Sequence, residues 1–379
     1  MSKLGVIDAD GHVQEPYDIW PKYLESKYLL DAPRLVTDNR GISRRYLAGK
    51  VLPVIGEVVD KDWKRLPDRI GGHDPYARLK DMDAEGMDIA VLFPTIGLLF
   101  GGVDKADVQA ALCRANNNWI HDYTRAAPNR LFAVAAVPQL DIKEMLAEAR
   151  RAVTTLGCKG VFLRPNAIGG RTLDDPYFDP LWSLLVELDV PLCVHEGTTL
   201  NVPTAGMNRY QNFLFRHVVS HPHEQQMACL EILCGGVLER HPALRVAFME
   251  SGCGWAASWM ERLDHHMKYW GHTSRKLPHL PSEYFLRQCF ISADPDEQTI
   301  PGIVQVMGDA NIVFASDYPH QDSMLSGVVA EITDRTDLSE TTKVKILVEN
   351  ARRLFRVGNG STAKRQAATN SGMKRPVKK

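Results

Sequence analysis

Asp10 and His12 stand two residues apart in an apolar run, Val6-Ile7-Asp8-Ala9-Asp10-Gly11-His12. In an extended chain residues i and i+2 share a face, so both side chains point the same way. A carboxylate beside an imidazole suits Zn²⁺, Mn²⁺ or Fe²⁺. The pair alone is a weak signal, but it does not stand alone. His195 closes Pro191-Leu192-Cys193-Val194-His195, and Asp317 closes Phe314-Ala315-Ser316-Asp317 ahead of Tyr318-Pro319-His320. Glu250 follows Val246-Ala247-Phe248-Met249, and Arg164 follows Val161-Phe162-Leu163. Asp294 ends a further apolar segment. The chemistry that unites these types is metal ligation with proton transfer.

The elements that must position them are eight short apolar segments alternating with helix-like stretches. They run Gly5–His12, Asp88–Gly97, Leu131–Pro138, Lys159–Pro165, Pro191–Gly197, Arg245–Gly252, Cys289–Asp294 and Asn311–His320. Strands covered on both faces read as unbroken apolar runs. Eight of them with helical crossovers predict an α/β fold, a (β/α)8 TIM barrel with its chemistry at the C-terminal strand ends. The last strand then lies beside the first, which lets Asp317 reach a metal held by Asp10 and His12.

Two excursions are longer than ordinary barrel loops. Gln14 to about Gly72 carries Tyr17, Trp20, Tyr23 and Arg44-Arg45, with a hairpin expected around Val51–Val59. Loops of that length are functional or unstructured, and its aromatics favour an ordered cover over the barrel mouth. The second runs from Thr198 to about His221, and a helix is expected from Pro222 to about Arg240. That reading puts His221 at the helix N-cap and Pro222 at N1. It makes His221 a candidate ligand or acid/base, with His217 and His223 nearby. Asp74-Pro75 predicts a capped helix to about Gly86, and further helices are expected over 105–126, 141–156, 180–188, 256–270 and 341–355. Arg164 has two readings, a bidentate clamp for a substrate carboxylate or an internal ion pair.

A chain of 379 residues, 44% of them apolar, can bury one large core. We read residues 1–357 as one barrel domain and 358–379 as a disordered basic tail. The whole chain carries a formal charge of −1, and the tail's six lysines and arginines leave the body at −7. An acidic body gives no support for nucleic-acid binding. The seven scattered cysteines, with no CxxC, suit buried thiols of a reduced, cytoplasmic protein, and Cys253 is the one beside a strand end. No secretory signal or membrane span is expected.

With those residues in place, the chain resembles the aminocarboxymuconate-semialdehyde-decarboxylase-like branch of the amidohydrolase superfamily. The motifs that carry the resemblance are Ile7-Asp8-Ala9-Asp10-Gly11-His12, Phe178-Asp179-Pro180-Leu181-Trp182, Pro191-Leu192-Cys193-Val194-His195, Ser316-Asp317-Tyr318-Pro319-His320 and Glu349-Asn350-Ala351-Arg352-Arg353-Leu354. The resemblance implies one divalent metal held by Asp10, His12, His195 and Asp317. It departs from the family at two points. Many relatives have His-x-His where this chain has Asp10-Gly11-His12. Many also have a histidine followed by glycines where this chain has Glu250-Ser251-Gly252.

Three functional readings follow. The first is a metal-dependent lyase or hydrolase. It would decarboxylate an aromatic or unsaturated acid, or hydrolyse a related C–C or C–N bond, with Glu250 or His221 moving the proton and Arg164 holding the substrate. The second counts Asp10, His12, His195, His221, Glu250 and Asp317 as six ligands for two metals, a dinuclear iron or iron–manganese oxygenase. The third is a non-catalytic assembly partner. Zinc, manganese and iron are the metals these ligands suit. Tyr17, Trp20, Tyr210, Phe213 and Phe215 suggest a pocket for a ring-shaped, carboxylated small molecule. Trp255, Trp259 and Trp270 offer either an interface of a homo-oligomer or core packing.

Overall fold

The computed structural model describes residues 5–39, 41–52, 69–197, 202–324 and 326–358. Eight of the described strands form one parallel sheet in chain order. They are β1 (Val6–His12), β5 (Met87–Phe93), β6 (Leu131–Ala136), β7 (Gly160–Leu163), β8 (Leu192–His195), β9 (Val246–Met249), β10 (Cys289–Ala293) and β11 (Ile312–Phe314). Each apolar segment supplies one strand, and β1, β7, β8, β9, β10 and β11 are buried along their whole length. The ring closes where Asp317 N–H donates to Asp10 O at 2.9 Å and His12 N–H donates to Tyr318 O at 2.7 Å. A (β/α)8 barrel is therefore the fold, and its seam runs through three of the expected site residues.

All of these strands except β1 end before their expected segments do. β9 stops at Met249 and β11 at Phe314, and just beyond them Glu250 and Asp317 take positive φ angles of 49° and 52°. Left-handed backbone costs a non-glycine residue on the order of 1 kcal/mol or more, and such strain gathers at functional sites. Here it turns each carboxylate off its strand and over the barrel mouth.

The first excursion holds a short helix (Trp20–Tyr23) and an antiparallel sheet of β2 (Arg34–Thr37), β3 (Ser43–Leu47) and β4 (Lys50–Val51). Trp20 is buried beside Phe100 and belongs to the core, not to a ring-binding pocket. Most of the hairpin expected at 51–59 lies outside the described residues. Residues 359–379, which include nearly all of the basic tail, also lie outside them.

The helix after the second excursion corrects the sequence reading. It spans Phe213–Cys234 with Pro222 inside it. His221 is therefore mid-helix and not its N-cap. Asn212 is the cap, accepting from Phe215 N–H at 3.3 Å. Pro222 has no N–H to offer Val218 O, yet the helix continues through it. The expected stretch to Arg240 is broken at Gly235-Gly236 before a short turn, Val237–Arg240. Asp74 caps helix Pro75–Glu85, as the Asp-Pro pair predicted, and Asp141, expected inside its helix, instead caps Ile142–Thr154; each accepts from the second and third backbone N–H groups. No helix among the described residues is long and apolar enough to cross a membrane.

Candidate metal centre

Five side chains converge at the C-terminal mouth of the barrel. His12 Nε2 lies 3.1 Å from His195 Nε2 and 3.6 Å from each of Asp10 Oδ1, Glu250 Oε2 and Asp317 Oδ1. His195 Nε2 lies 3.3 Å from Asp10 Oδ1 and 3.2 Å from Glu250 Oε2. Donors bound to one cation at about 2.1 Å sit roughly 3.0–3.4 Å apart, the edges of an octahedron or tetrahedron. The three spacings around His195 fall inside that frame, and the three from His12 to the carboxylates lie about 0.2 Å beyond it.

The hydrogen bonding points to a cation as well. His12 Nδ1 faces Pro94 O at 3.1 Å and His195 Nδ1 faces Glu196 O at 2.6 Å. Each Nδ1 must carry the proton to donate to a carbonyl, so each Nε2 presents a lone pair. Two lone pairs facing each other at 3.1 Å repel unless something positive lies between them. Both oxygens of Asp10 and Oε2 of Glu250 are buried with no hydrogen-bond donor aimed at them. Buried polar atoms of this kind demand an explanation, and a divalent cation supplies it. The residues fit such an ion.

Electrostatics without the ion tell the same story. Burial pushes the Asp10 carboxyl up to about 8, against the pull of the His320 charge. Burial and then the Asp317 charge hold Glu250 well above the usual carboxylate range. Burial holds His12 well below its ordinary value and takes His195 down to about 3, so both are neutral and ready to ligate. A carboxylate cluster that resists ionisation and neutral imidazoles among them form a site waiting for positive charge.

His320, which the sequence placed beside Asp317 at a strand end but gave no role, is a site residue. Its ring lies 4.0 Å from that of His12, and its Nδ1 is 2.7 Å from Asp317 Oδ1. Thr95 Oγ1 donates to Val13 O at 2.7 Å, so it accepts from His320 Nε2 at 2.9 Å. Burial opposes a charge on His320, but Asp317 and Glu250 outweigh it and raise the ring to about 10. Without the ion, that places a positive charge beside Asp317. Asp8 was given no role either. Its two oxygens accept from Ser316 N–H at 2.9 Å and Ser316 Oγ at 2.6 Å, pinning the residue next to Asp317 to β1. The register of β1 shifts between Asp8 and Gly11. A Cβ on Gly11 would stand 2.8 Å from Asp8 Oδ2, so only glycine fits between the two motif acids and His12.

Glu250 reaches two ways. Its Oε2 faces His12 and His195, and its Oε1 lies 3.2 Å from His221 Nε2. Helical placement thus brings His221 to the site by a different route from the expected cap. Asp294 is exposed beyond β10 and joins none of these contacts. His223 turns to Val219 O at 2.9 Å on its own helix. Cys253 is buried, and burial with the neighbouring Glu297 pushes its thiol far up, so it is no nucleophile. All seven cysteines are free and buried.

Arg164 answers to the second of its two readings. It is buried, and it donates from Nε to Asn166 Oδ1 (2.9 Å), from Nη1 to Leu98 O (2.8 Å) and from Nη2 to Glu196 Oε1 (3.0 Å) and Gly197 O (2.9 Å). Four of its five N–H groups are committed to the protein, which leaves no fork for a substrate carboxylate. It instead fixes the segment that carries His195.

The amidohydrolase family model matches residues 7–357, and the chain belongs to that family. Two relatives cover most of it. It is 26% identical over 285 residues to the 2-amino-3-carboxymuconate-6-semialdehyde decarboxylase of Dictyostelium discoideum, covering 73% of this chain and 75% of that one. It is 25% identical over 292 residues to the gamma-resorcylate decarboxylase of Rhodococcus jostii, covering 74% and 87%. A dihydroxybenzoic acid decarboxylase from Polaromonas sp. JS666, solved with bound manganese, superposes with a TM-score of 0.68 at 20% identity, covering 93% of this chain and 97% of that one.

Proposed function

We propose that this chain is a metal-dependent decarboxylase of aromatic or unsaturated carboxylic acids. The observation that carries the reading is the pair of opposed Nε2 lone pairs ringed by Asp10, Asp317 and Glu250. Asp10, His12, His195 and Asp317 would hold the ion, with manganese, zinc and iron all compatible with two imidazoles and two carboxylates. The manganese in the Polaromonas relative favours manganese among them. Bound there, a divalent cation supplies a fixed positive charge against which a substrate oxygen can develop negative charge.

The chain's own residues do the rest. Glu250 holds a proton at the mouth, because burial and Asp317 disfavour its ionised form. With a divalent cation held at the centre, that proton affinity would be lower, nearer the working range of an acid catalyst. In the step itself the bond between ring carbon and carboxylate breaks, its electron pair stays on the ring carbon, and CO₂ leaves. The Glu250 proton forms the new C–H bond. The turnover consumes one proton, which comes from solvent; His221, with Nε2 3.2 Å from Glu250 Oε1, is placed to take up that proton and pass it to the carboxylate. Arg164 acts through position, holding the Glu196–Gly197 turn behind His195.

The names of the relatives support decarboxylation and give no support to the oxygenase or the assembly-partner reading. The test is a panel of ortho-hydroxylated benzoates and carboxymuconate-type acids, offered to manganese-loaded protein with CO₂ and residual acid both measured. Stoichiometric CO₂ from at least one acid is the expected result. Hydrolysis of an amide or ester panel with no CO₂ from any acid would overturn the assignment.

A further inference from the structure

We propose that Glu15 is a positioning residue of the metal centre: its carboxylate holds the turn at residues 94–97, and that turn aims His12 and His320. This inference rests on the metal centre proposed above and extends it to a side chain outside the ligand set. Glu15 is buried three residues beyond His12, in the loop that leaves β1. Its Oε2 accepts from Thr95 N–H at 3.1 Å and from Ile96 N–H at 2.8 Å, and its Oε1 accepts from Gly97 N–H at 3.0 Å. Three successive backbone donors converge on one side chain. β5 has ended at Phe93, so the sheet no longer serves these groups, and a carboxylate is the side chain that can accept from all of them.

The turn serves the centre from two sides. Pro94 O lies 3.1 Å from His12 Nδ1 and so fixes the tautomer that leaves Nε2 facing the centre. Thr95 Oγ1 lies 2.9 Å from His320 Nε2, and the other nitrogen of that ring, Nδ1, is 2.7 Å from Asp317 Oδ1. One turn therefore acts on the β1 imidazole directly and on the carboxylate after β11 through His320. Its shape is closely prescribed, since a Cβ on Gly97 would stand 2.6 Å from Pro94 Cβ. Two more bonds tie it to the chain leaving β1: Thr95 Oγ1 donates to Val13 O at 2.7 Å, and Val13 N–H donates to Phe93 O at 2.9 Å.

Removing an acceptor from Glu15 strands backbone donors in a buried turn, and the turn must rearrange to satisfy them. The Pro94 carbonyl and the Thr95 hydroxyl move with it, because both belong to the same four residues. The effect therefore falls on ligand geometry and metal affinity as well as on folding.

The experiment uses the full-length chain, stripped with a chelator and reloaded with Co²⁺ alone. Chelator competition gives the affinity, and the visible spectrum of bound Co²⁺ reports ligand geometry. Glu15→Gln turns one accepting oxygen into a donor that opposes a backbone N–H. The expected result is an affinity lowered by about 10–100-fold, with a shifted spectrum. Glu148→Gln is the control for stability alone. That buried carboxylate accepts from Asn117 and Arg151, between helices Ala106–Thr124 and Ile142–Thr154. It should lower the thermal midpoint while affinity and spectrum stay those of wild type. Thr95→Val keeps the three bonds to Glu15 and removes the hydroxyl that faces His320. It should shift the spectrum and weaken binding by about tenfold, and it carries the test if Glu15→Gln does not fold. Wild-type affinity and spectrum in Glu15→Gln, or in Thr95→Val where that stands in for it, overturn the positioning role and leave the metal centre standing. Equal loosening in Glu15→Gln and Glu148→Gln overturns it too, because lost stability then explains both. No Co²⁺ bound by the wild type overturns the metal centre and this inference together.

Discussion

Replacing Arg164 separates its two roles by size of effect and by what is measured. Arg164 and Glu196 are both buried, and their contact is 3.0 Å. Glu196 Oε2 has no hydrogen-bond partner, so the guanidinium is the main counterweight to a charge that burial already disfavours. Arg164→Met removes that counterweight along with three bonds to Asn166, Leu98 and Gly197. Breaking a buried pair from one side costs about 3–5 kcal/mol, because the other charge is stranded. In a chain of this length that is about 4–6 °C in thermal midpoint. The sign with pH is fixed. The stranded Glu196 has a folded pKa above its unfolded one, so its penalty is present when it is ionised and fades as falling pH protonates it. The deficit should therefore be larger at pH 8 than at pH 5.5. The double variant Arg164→Met/Glu196→Leu should recover most of it, since two apolar groups strand no charge. Scanning calorimetry at fixed scan rate on the metal-loaded protein gives the readout. A midpoint within 1 °C of wild type, with KM for the acid raised by more than tenfold, would refute the structural role and restore the substrate clamp.

Three further outcomes follow from the same geometry. Glu250→Gln should keep the metal ion and the fold while lowering kcat about 10²–10⁴-fold, the usual share of a positioned proton donor, as measured by CO₂ release under saturating acid. Metal affinity should climb with pH up to about 8, because the Asp10 carboxyl, raised to about 8 without metal, must lose its proton to ligate. One displaced proton gives about tenfold per pH unit below that value, so a chelator-competition titration that is flat from pH 6 to 8 would contradict the electrostatic account. Gly11→Ala should cost roughly 1–3 kcal/mol and loosen the metal, since its Cβ would meet Asp8 Oδ2 at 2.8 Å. Denaturant melts of metal-free and loaded protein measure both effects.

Much of this was legible in the sequence because burial on both faces leaves a plain mark. The apolar runs around Leu192–His195 and Val246–Met249 are strands covered on every side, and the residue after such a run marks the barrel mouth. What failed to show was of two kinds. Local signals competed, as where Pro222 pointed to a helix start that Asn212 in fact supplies. Other groups are joined only by the closed barrel. Asp8 meets Ser316, and His217 meets Asp322, across separations no periodicity records. The left-handed turns at Glu250 and Asp317, which bring two carboxylates to the barrel mouth, were hidden for a related reason. Nothing in a run of Val, Ala, Phe and Met tells where a strand must stop short.

The central claim is that Asp10, His12, His195 and Asp317 hold one divalent ion on which decarboxylation depends. Its most direct test is CO₂ release followed as Mn²⁺ is added back to metal-free protein, with bound metal counted in the same samples. The account predicts no turnover without metal and a rise to a maximum at one bound ion per chain. Full CO₂ release from protein shown to be metal-free would contradict it.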